Sequence, residues 1–169
     1  FTKTIADSSN QLMSIVEDVL EISLIQSKSA TIINSEFDIV KLFEQVIDEF
    51  KVYLSNKDVR FETAINPNIN EYLIYSDRIR IVAILKHLLE NSRKFTLKGR
   101  ILATMYINPD NITFEIADTG IGIPIEMQEI IFEPFRQVET GASRQFGGNG
   151  LGLTIVKANV EMLGGNIHL

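Results

Sequence analysis

Asp118-Thr-Gly-Ile-Gly-Ile-Pro124 brings one carboxylate together with Gly120 and Gly122. An ionised carboxylate only accepts hydrogen bonds, so it can take the exocyclic amino group of a base. Glycines without a Cβ let backbone approach a flat ligand and turn sharply. Further on, Gly147-Gly-Asn-Gly-Leu-Gly-Leu153 runs into a helical pattern from Thr154 to Leu163. The first N–H groups of a helix lack partners and its dipole favours negative charge, so this cluster suits phosphate. Together the two stretches predict a nucleotide pocket. The spacing fits neither the dinucleotide G-x-G-x-x-G nor the phosphate-binding G-x-x-x-x-G-K-[ST] loop. Two other readings of Asp118-Thr-Gly120 stand beside it: a plain tight turn before Pro124, and an aspartic protease site. The latter needs two paired copies across a dimer and leaves the second glycine cluster unexplained.

The elements that must position these residues can be read from periodicity. Asn111 to Asp118 alternates Ile112, Phe114 and Ile116 with Thr113 and Glu115, a half-buried strand with Asp118 at its end; Asn108-Pro-Asp110 joins it as a hairpin to a strand over Gly99 to Ile107. A helix from about Asp77 to Lys94 carries Ile81, Ile84, Leu85, Leu88 and Leu89 toward a core, and Arg80, Ala83, His87, Asn91 and Lys94 fall three or four apart on another face. Upstream, Glu36 to Asp38 reads as a short strand feeding a helix capped by Asp38, with Leu42, Phe43, Val46, Ile47 and Phe50 buried. Arg60 to Ile65 and Tyr72 to Tyr75 read as strands around the loop Asn66 to Asn70. Phe1 to about Gln26 is helical, with Ile5, Leu12 and Val19 seven apart, Ile15 and Ile22 interleaved, and Val16 and Leu20 broadening the stripe. Ser27 to Ser35 reads as a linker. After Pro124 a short helix spans Ile125 to Ile131, then Gln137 to Gly147 is polar, without apolar period, and suits a mobile lid. Gly164-Gly165 closes the last helix, and Asn166 to Leu169 begins a strand.

A chain of 169 residues, 45% of them hydrophobic, can bury a core. Sixteen basic against 22 acidic side chains give a net charge of −6 with no basic run, which argues against nucleic acid. The absence of cysteine excludes disulfides and thiolate metal sites and suits the cytoplasm. No apolar run approaches the roughly 18 residues of a membrane span, and Phe1 to Asn10 is too polar for a signal peptide. A first residue other than Met leads to the expectation that the chain is a piece excised from a longer protein.

His87-Leu-Leu-Glu-Asn-Ser-Arg-Lys-Phe-Thr96, the two glycine clusters, and Ile131-Phe-Glu-Pro-Phe135 between them follow one another in a characteristic order. In this the chain resembles the sensor histidine kinases of two-component systems, with their Asn box, first glycine box, Phe box and second glycine box. The resemblance covers nearly the whole chain. It implies residues 1–30 as the second helix of a dimerisation and phosphoacceptor domain and residues 31–169 as an ATP-binding catalytic domain whose last strand is missing. The implied fold is a two-layer α/β sandwich of Bergerat type, a mixed, mostly antiparallel sheet covered on one face by helices, plus the long N-terminal helix.

The resemblance also assigns roles. Asn91 supplies an amide oxygen to Mg²⁺, which otherwise carries triphosphate oxygens and waters. The family usually has a second asparagine one turn earlier; here it is His87, a poor Mg²⁺ ligand that could orient water or phosphate or cap the pocket wall. Lys94 reaches phosphate as a point charge, unless it pairs with Glu90, and Phe95 packs on the adenine or the pocket lip. Asp118, Gly120, Gly122 and Ile123 line the base; Gly148, Gly150, Leu151, Gly152 and Leu153 cradle phosphate. Phe132 and Phe135 anchor the lid, and Arg144 contacts the γ-phosphate with Arg136 as competitor. The implied reaction is transfer of the ATP γ-phosphoryl to a histidine nitrogen. Neither His87 nor His168 stands in a dimerisation-helix context, so the acceptor lies upstream and this stretch alone binds ATP without phosphorylating itself. Implied partners are the chain's own phosphoacceptor domain, a second copy in a homodimer, and a response-regulator receiver domain, in a parent anchored to the cell membrane. Two rivals remain: a gyrase-like or MutL-like ATPase, which places a glutamate base where His87 stands, and a degenerate nucleotide-responsive docking scaffold.

Overall fold

The computed structural model describes residues 2–27, 29–54, 58–137 and 149–169. Helix α1 (Thr2–Gln26) leads through an irregular linker into strand β1 (Ser35–Asp38) and helix α2 (Ile39–Leu54). Then come β2 (Val59–Asn66), β3 (Leu73–Ser76), helix α3 (Arg78–Phe95), β4 (Gly99–Ile107), β5 (Ile112–Asp118) and helix α4 (Gly152–Met162).

Helix α2 begins where Asp38 stops being a strand residue. Its Oδ1 accepts the N–H groups of Val40 at 3.0 Å and Lys41 at 3.4 Å, and Tyr72 N–H at 3.2 Å, so one carboxylate caps the helix and ties it to the approach to β3. Burial competes with these bonds and with the Lys41 amino group at 2.9 Å, and the bonds prevail, holding the Asp38 pKa below its ordinary value. The apolar positions of α2 recur at three and four, and all five expected core residues are buried. They meet the row Ile101, Ala103, Met105 and Ile107 from one face of β4, and Ile81, Leu85 and Leu89 from α3. Leu88, expected in that row, is only half-buried, and Ser92 takes the buried place one turn on.

The strands form two small sheets where the sequence suggested one. β1 pairs antiparallel with β3, Ser35 opposite Ser76; β2 runs parallel to β4, Val59 opposite Gly99; and β4 pairs antiparallel with β5, Ile101 opposite Asp118. The mixture and the antiparallel majority hold. The helices cover one face, where Phe114 of β5 stacks against Phe43 of α2 with centroids 6.0 Å apart.

Two expected elements take other forms. Ile125 to Ile131 is no single helix: two 3-10 turns, Ile125–Met127 and Ile130–Phe132, follow Pro124, and neither end has a side-chain cap. Without a capping side chain and with too few residues to propagate, i to i+3 bonds are what the segment supports. Asn166 to Leu169 forms no strand, because no ladder partner stands beside it among the described residues. Gly164 and Gly165 do close α4, donating their N–H groups to the carbonyls of Glu161 and Val160 as in a Schellman cap.

The stripe on α1 divides. Ile22 is buried against Leu151 and Ile155, with Ile15 and Ile25 half-buried on the same side, while Leu12, Val16, Val19 and Leu20 are exposed. The Ile5 side chain lies outside the described ones. No helix among the described residues is long and apolar enough to cross a membrane.

Candidate nucleotide-binding site

Helix α3 supplies one wall. Asp77 caps its start, accepting Ile79 N–H at 3.0 Å and Arg80 N–H at 3.2 Å on Oδ1 and Ile33 N–H at 2.9 Å on Oδ2. The cap fixes the helix end and orients the stripe Ala83, His87, Asn91 and Lys94, all half-buried. Across from it begins α4. A Cβ on Gly152 would stand 3.4 Å from His87 Nδ1 and 3.7 Å from Asn91 Nδ2, so the Asn-box face and the second glycine box oppose each other over a narrow gap.

The carboxylate end of the site is keyed to the same helix. Asp118, exposed at the end of β5, accepts Gly120 N–H on Oδ1 at 2.8 Å, and Ile121 N–H donates to Phe95 O at 3.3 Å. A Cβ at Gly120 would lie inside contact distance of Phe95 O and 2.8 Å from Asp118 Oδ1. The close approach of loop to helix end therefore requires glycine. Among the described residues no side-chain or backbone donor is seen on Asp118 Oδ2.

At the other end, Phe135 N–H donates to Gly150 O at 3.1 Å, pinning the Phe box to the second glycine box. Gly150 has φ 68°, and a Cβ there would meet the Arg136 and Phe135 backbone at 2.7 and 2.8 Å. Phe135 itself has φ 63° and is 69% exposed. Its backbone anchors the turn, while the side chain does not pack as an anchor should. Phe132 is half-buried, with Lys157 Nζ 5.8 Å from its ring centre.

Lys94 is half-buried, and desolvation lowers its pKa against the raising influence of Glu90. It does not pair with Glu90, whose carboxylate is held by Arg93; its Nζ lies 4.7 Å from the Phe95 ring centre. A partly desolvated ammonium gains from an arriving phosphate, whose negative charge favours the protonated form and offsets the desolvation. Arg136 is engaged with Glu133 at 2.9 Å. Arg144, Gly147 and Gly148, with the lid expected around them, lie outside the described residues. Ile123 is half-buried and its carbonyl accepts Gln128 Nε2 at 3.4 Å. Leu153 is half-buried beside Gly152. Leu151, expected at the ligand, is fully buried against Ile22 and Ile155, so its side chain faces α1.

The structure also brings in residues that the sequence motifs did not flag. Asp18 on α1 accepts Asn149 Nδ2 at 2.7 Å and lies 4.0 Å from His87 Nε2; Glu21 accepts Asn159 Nδ2 at 2.7 Å. Fully buried Asn159 accepts Arg80 Nη1 at 2.5 Å, and Arg80 Nη2 donates to Thr31 O at 2.9 Å. The available signal was Asp18 itself, interrupting the spacing Ile15, Ile22, Ile25. Among the described residues no cluster of three or more His, Asp or Glu could hold a metal.

A β4–β5 hairpin ending on a carboxylate, a polar helix face and a glycine-opened helix thus surround one site. The model of the histidine kinase-, DNA gyrase B- and HSP90-like ATPases matches residues 76–169, and the chain belongs to that family. ATP is accordingly the ligand class of the site.

Within the family its likenesses are to sensor kinases. It is 34% identical over 181 residues to hybrid signal transduction histidine kinase A of Dictyostelium discoideum, covering 100% of this chain and 8% of that protein. It is 34% identical over 170 residues to the autoinducer 2 sensor kinase/phosphatase LuxQ of Vibrio cholerae, covering 98% of this chain and 20% of that one. The chain therefore spans a fifth or less of these relatives. Among solved structures it resembles full-length ShkA in complex with AMPPNP, at TM-score 0.81 and 28% identity, over 96% of this chain and 33% of that one. The fold also matches the Acinetobacter baumannii histidine kinase AdeS, at TM-score 0.75 and 24% identity over 95% of this chain and 72% of that one.

Proposed function

We propose that this chain is the catalytic ATP-binding unit of a sensor histidine kinase, with α1 as the second helix of its dimerisation and phosphoacceptor domain. The observation that carries the reading is the opposition of His87 and Asn91 on α3 to Gly152 at the start of α4, with the Asp118 loop keyed to Phe95 at the end of the same helix. Asp118 takes the adenine amino group, and the first N–H groups of α4 take phosphate. Lys94 adds positive charge at the phosphates. Arg144 is assigned to the γ-phosphate, since Arg136 is occupied by Glu133.

The residues present fit Mg²⁺ only as a nucleotide-bound ion. Among the described residues the wall offers the Asn91 amide oxygen and no carboxylate cluster, which matches a cation that keeps waters and phosphate oxygens as its other ligands. Asn91 would hold it, and the ion would neutralise polyphosphate charge. His87, facing Asp18, is a wall residue rather than a ligand.

Catalysis here is positioning and charge neutralisation, delivering the γ-phosphoryl to a histidine nitrogen outside this stretch for relay to a response-regulator aspartate. The exposed row Leu12, Val16, Val19 and Leu20 suits packing against helices of that domain and of a second copy. Location on the cytoplasmic side of a membrane-anchored parent belongs to the same proposal. Calorimetric titration with a non-hydrolysable ATP analogue, with and without Mg²⁺, tests the pocket. Saturable binding abolished by Asp118→Asn is expected. Phosphohistidine formation after restoring an upstream acceptor helix tests the transfer, and its absence with ATP bound would favour the docking scaffold.

A further inference from the structure

Asp18 carries helix α1 to the edge of the nucleotide site. Asp18 is 14% exposed; one carboxylate oxygen accepts Asn149 Nδ2 at 2.7 Å and the other lies 4.0 Å from His87 Nε2. Asn149 Oδ1 in turn accepts Leu151 N–H at 3.1 Å, a side-chain turn across Gly150 immediately before α4. An amide has its donor at one end and its acceptor at the other. Because a carboxylate can only accept, Asp18 dictates that Asn149 gives it the NH₂ group and turns the oxygen to the backbone. The bond is charge-assisted and joins residues 131 apart in sequence.

We propose that Asp18 is a positioning residue of the nucleotide site. It acts through Asn149 to fix the turn that presents the first N–H groups of α4, so the phosphate cradle is complete only when α1 is docked. This inference rests on the ATP-binding reading above. A carboxylate near a polyphosphate also repels it, and geometry decides between the two effects. The His87 ring meets Asp18 with Nε2 and the Gly152 position with Nδ1, so imidazole intervenes between the carboxylate and the gap beside Asn91. Asp18 lies on the α1 side of the turn, next to the contact of Ile22 with Leu151. By linkage, a nucleotide that needs the ordered turn strengthens α1 docking by the same factor that docking strengthens its own binding. Movement of α1 is thereby coupled to occupancy of the site.

The test is calorimetry on the whole chain with a non-hydrolysable ATP analogue, ADP and adenosine. Asp18→Ala is expected to weaken the two phosphorylated ligands about fivefold, the size of one net hydrogen bond, and to leave adenosine unchanged. Asp18→Asn, whose remaining oxygen still accepts from Asn149, retains most of the affinity. In an Asn149→Ala background, Asp18→Ala causes no further loss, because the two residues act in series. Unchanged or increased affinity in Asp18→Ala, an equal loss for adenosine, or an additive loss in the double variant would each overturn the proposal. If the unsubstituted chain binds no nucleotide, the ATP reading fails and this inference with it; binding that ignores Asp18 defeats the inference alone.

Discussion

Gly120→Ala is the sharpest probe of the adenine end of the site. The added methyl would stand 2.8 Å from both the Phe95 carbonyl carbon and Asp118 Oδ1, against an ordinary contact of 3.4 Å or more, and closer still to Phe95 O. Two of these three atoms are backbone at the end of a packed helix, so the loop must move. Its movement breaks the Gly120 N–H bond to Asp118 and the Ile121 N–H bond to Phe95. Two net hydrogen bonds at about 1 kcal/mol each give a stability loss of about 2 kcal/mol. Affinity should fall by a comparable amount, because the turn that aims Asp118 is lost. A charged hydrogen bond to the base is worth about 1.5–3 kcal/mol, or roughly 10- to 100-fold. Gly122→Ala is the control: φ is 67° but nothing lies within 4 Å, so the cost is the left-handed conformation alone, about 1–2 kcal/mol. Urea denaturation and calorimetry with the ATP analogue separate the two effects. Equal affinities for the two variants would refute the claim that close approach to Phe95 sets the carboxylate.

Lys94→Met should raise the melting temperature near neutral pH while weakening the ATP analogue more than adenosine. With the folded pKa below the ordinary 10.5, the unfolded chain binds more protons just under that pH. Stability therefore rises with pH through that window, and the variant should lose the rise. Asp38→Ala should cost about 1–2 kcal/mol by urea denaturation as an N-cap loss, with Asp38→Asn milder. Since the Asp38 pKa is depressed below 3.8, its contribution is full above that pH and disappears as pH falls through the lower folded value. Leu85→Ala, fully buried between α2 and β4, should destabilise by about 2–5 kcal/mol. Ile22→Ala should instead reduce hydrogen-exchange protection in α1 and leave that of α2 and β4 unchanged, because Ile22 is the sole buried apolar residue of α1 among those described.

Much of this molecule is written in local chemistry. The 3.6-residue spacing of α2 and α3, the alternation in β5, the caps at Asp38 and the glycine pair ending α4 each depend on neighbours a few residues away, and each stands where the sequence puts it. The candidate site was proposed on the same kind of signal: Asn91, Asp118 and the second glycine box suggest their chemistry by residue type and spacing. Tertiary structure alone decided what those local rules leave open. Whether five strands join one sheet or two depends on which edges meet, and a sequence does not state its non-local pairings. The 3-10 turns after Pro124 follow from missing caps, and Asn166 to Leu169 has no ladder partner among the described residues. Leu151 looked like cradle and became core, since a helix start also has a face toward its neighbour. Asp18 was invisible as a site residue because its partners, His87 and Asn149, come into reach only when α1 folds back on α4, and no periodicity within α1 reports what lies across from it.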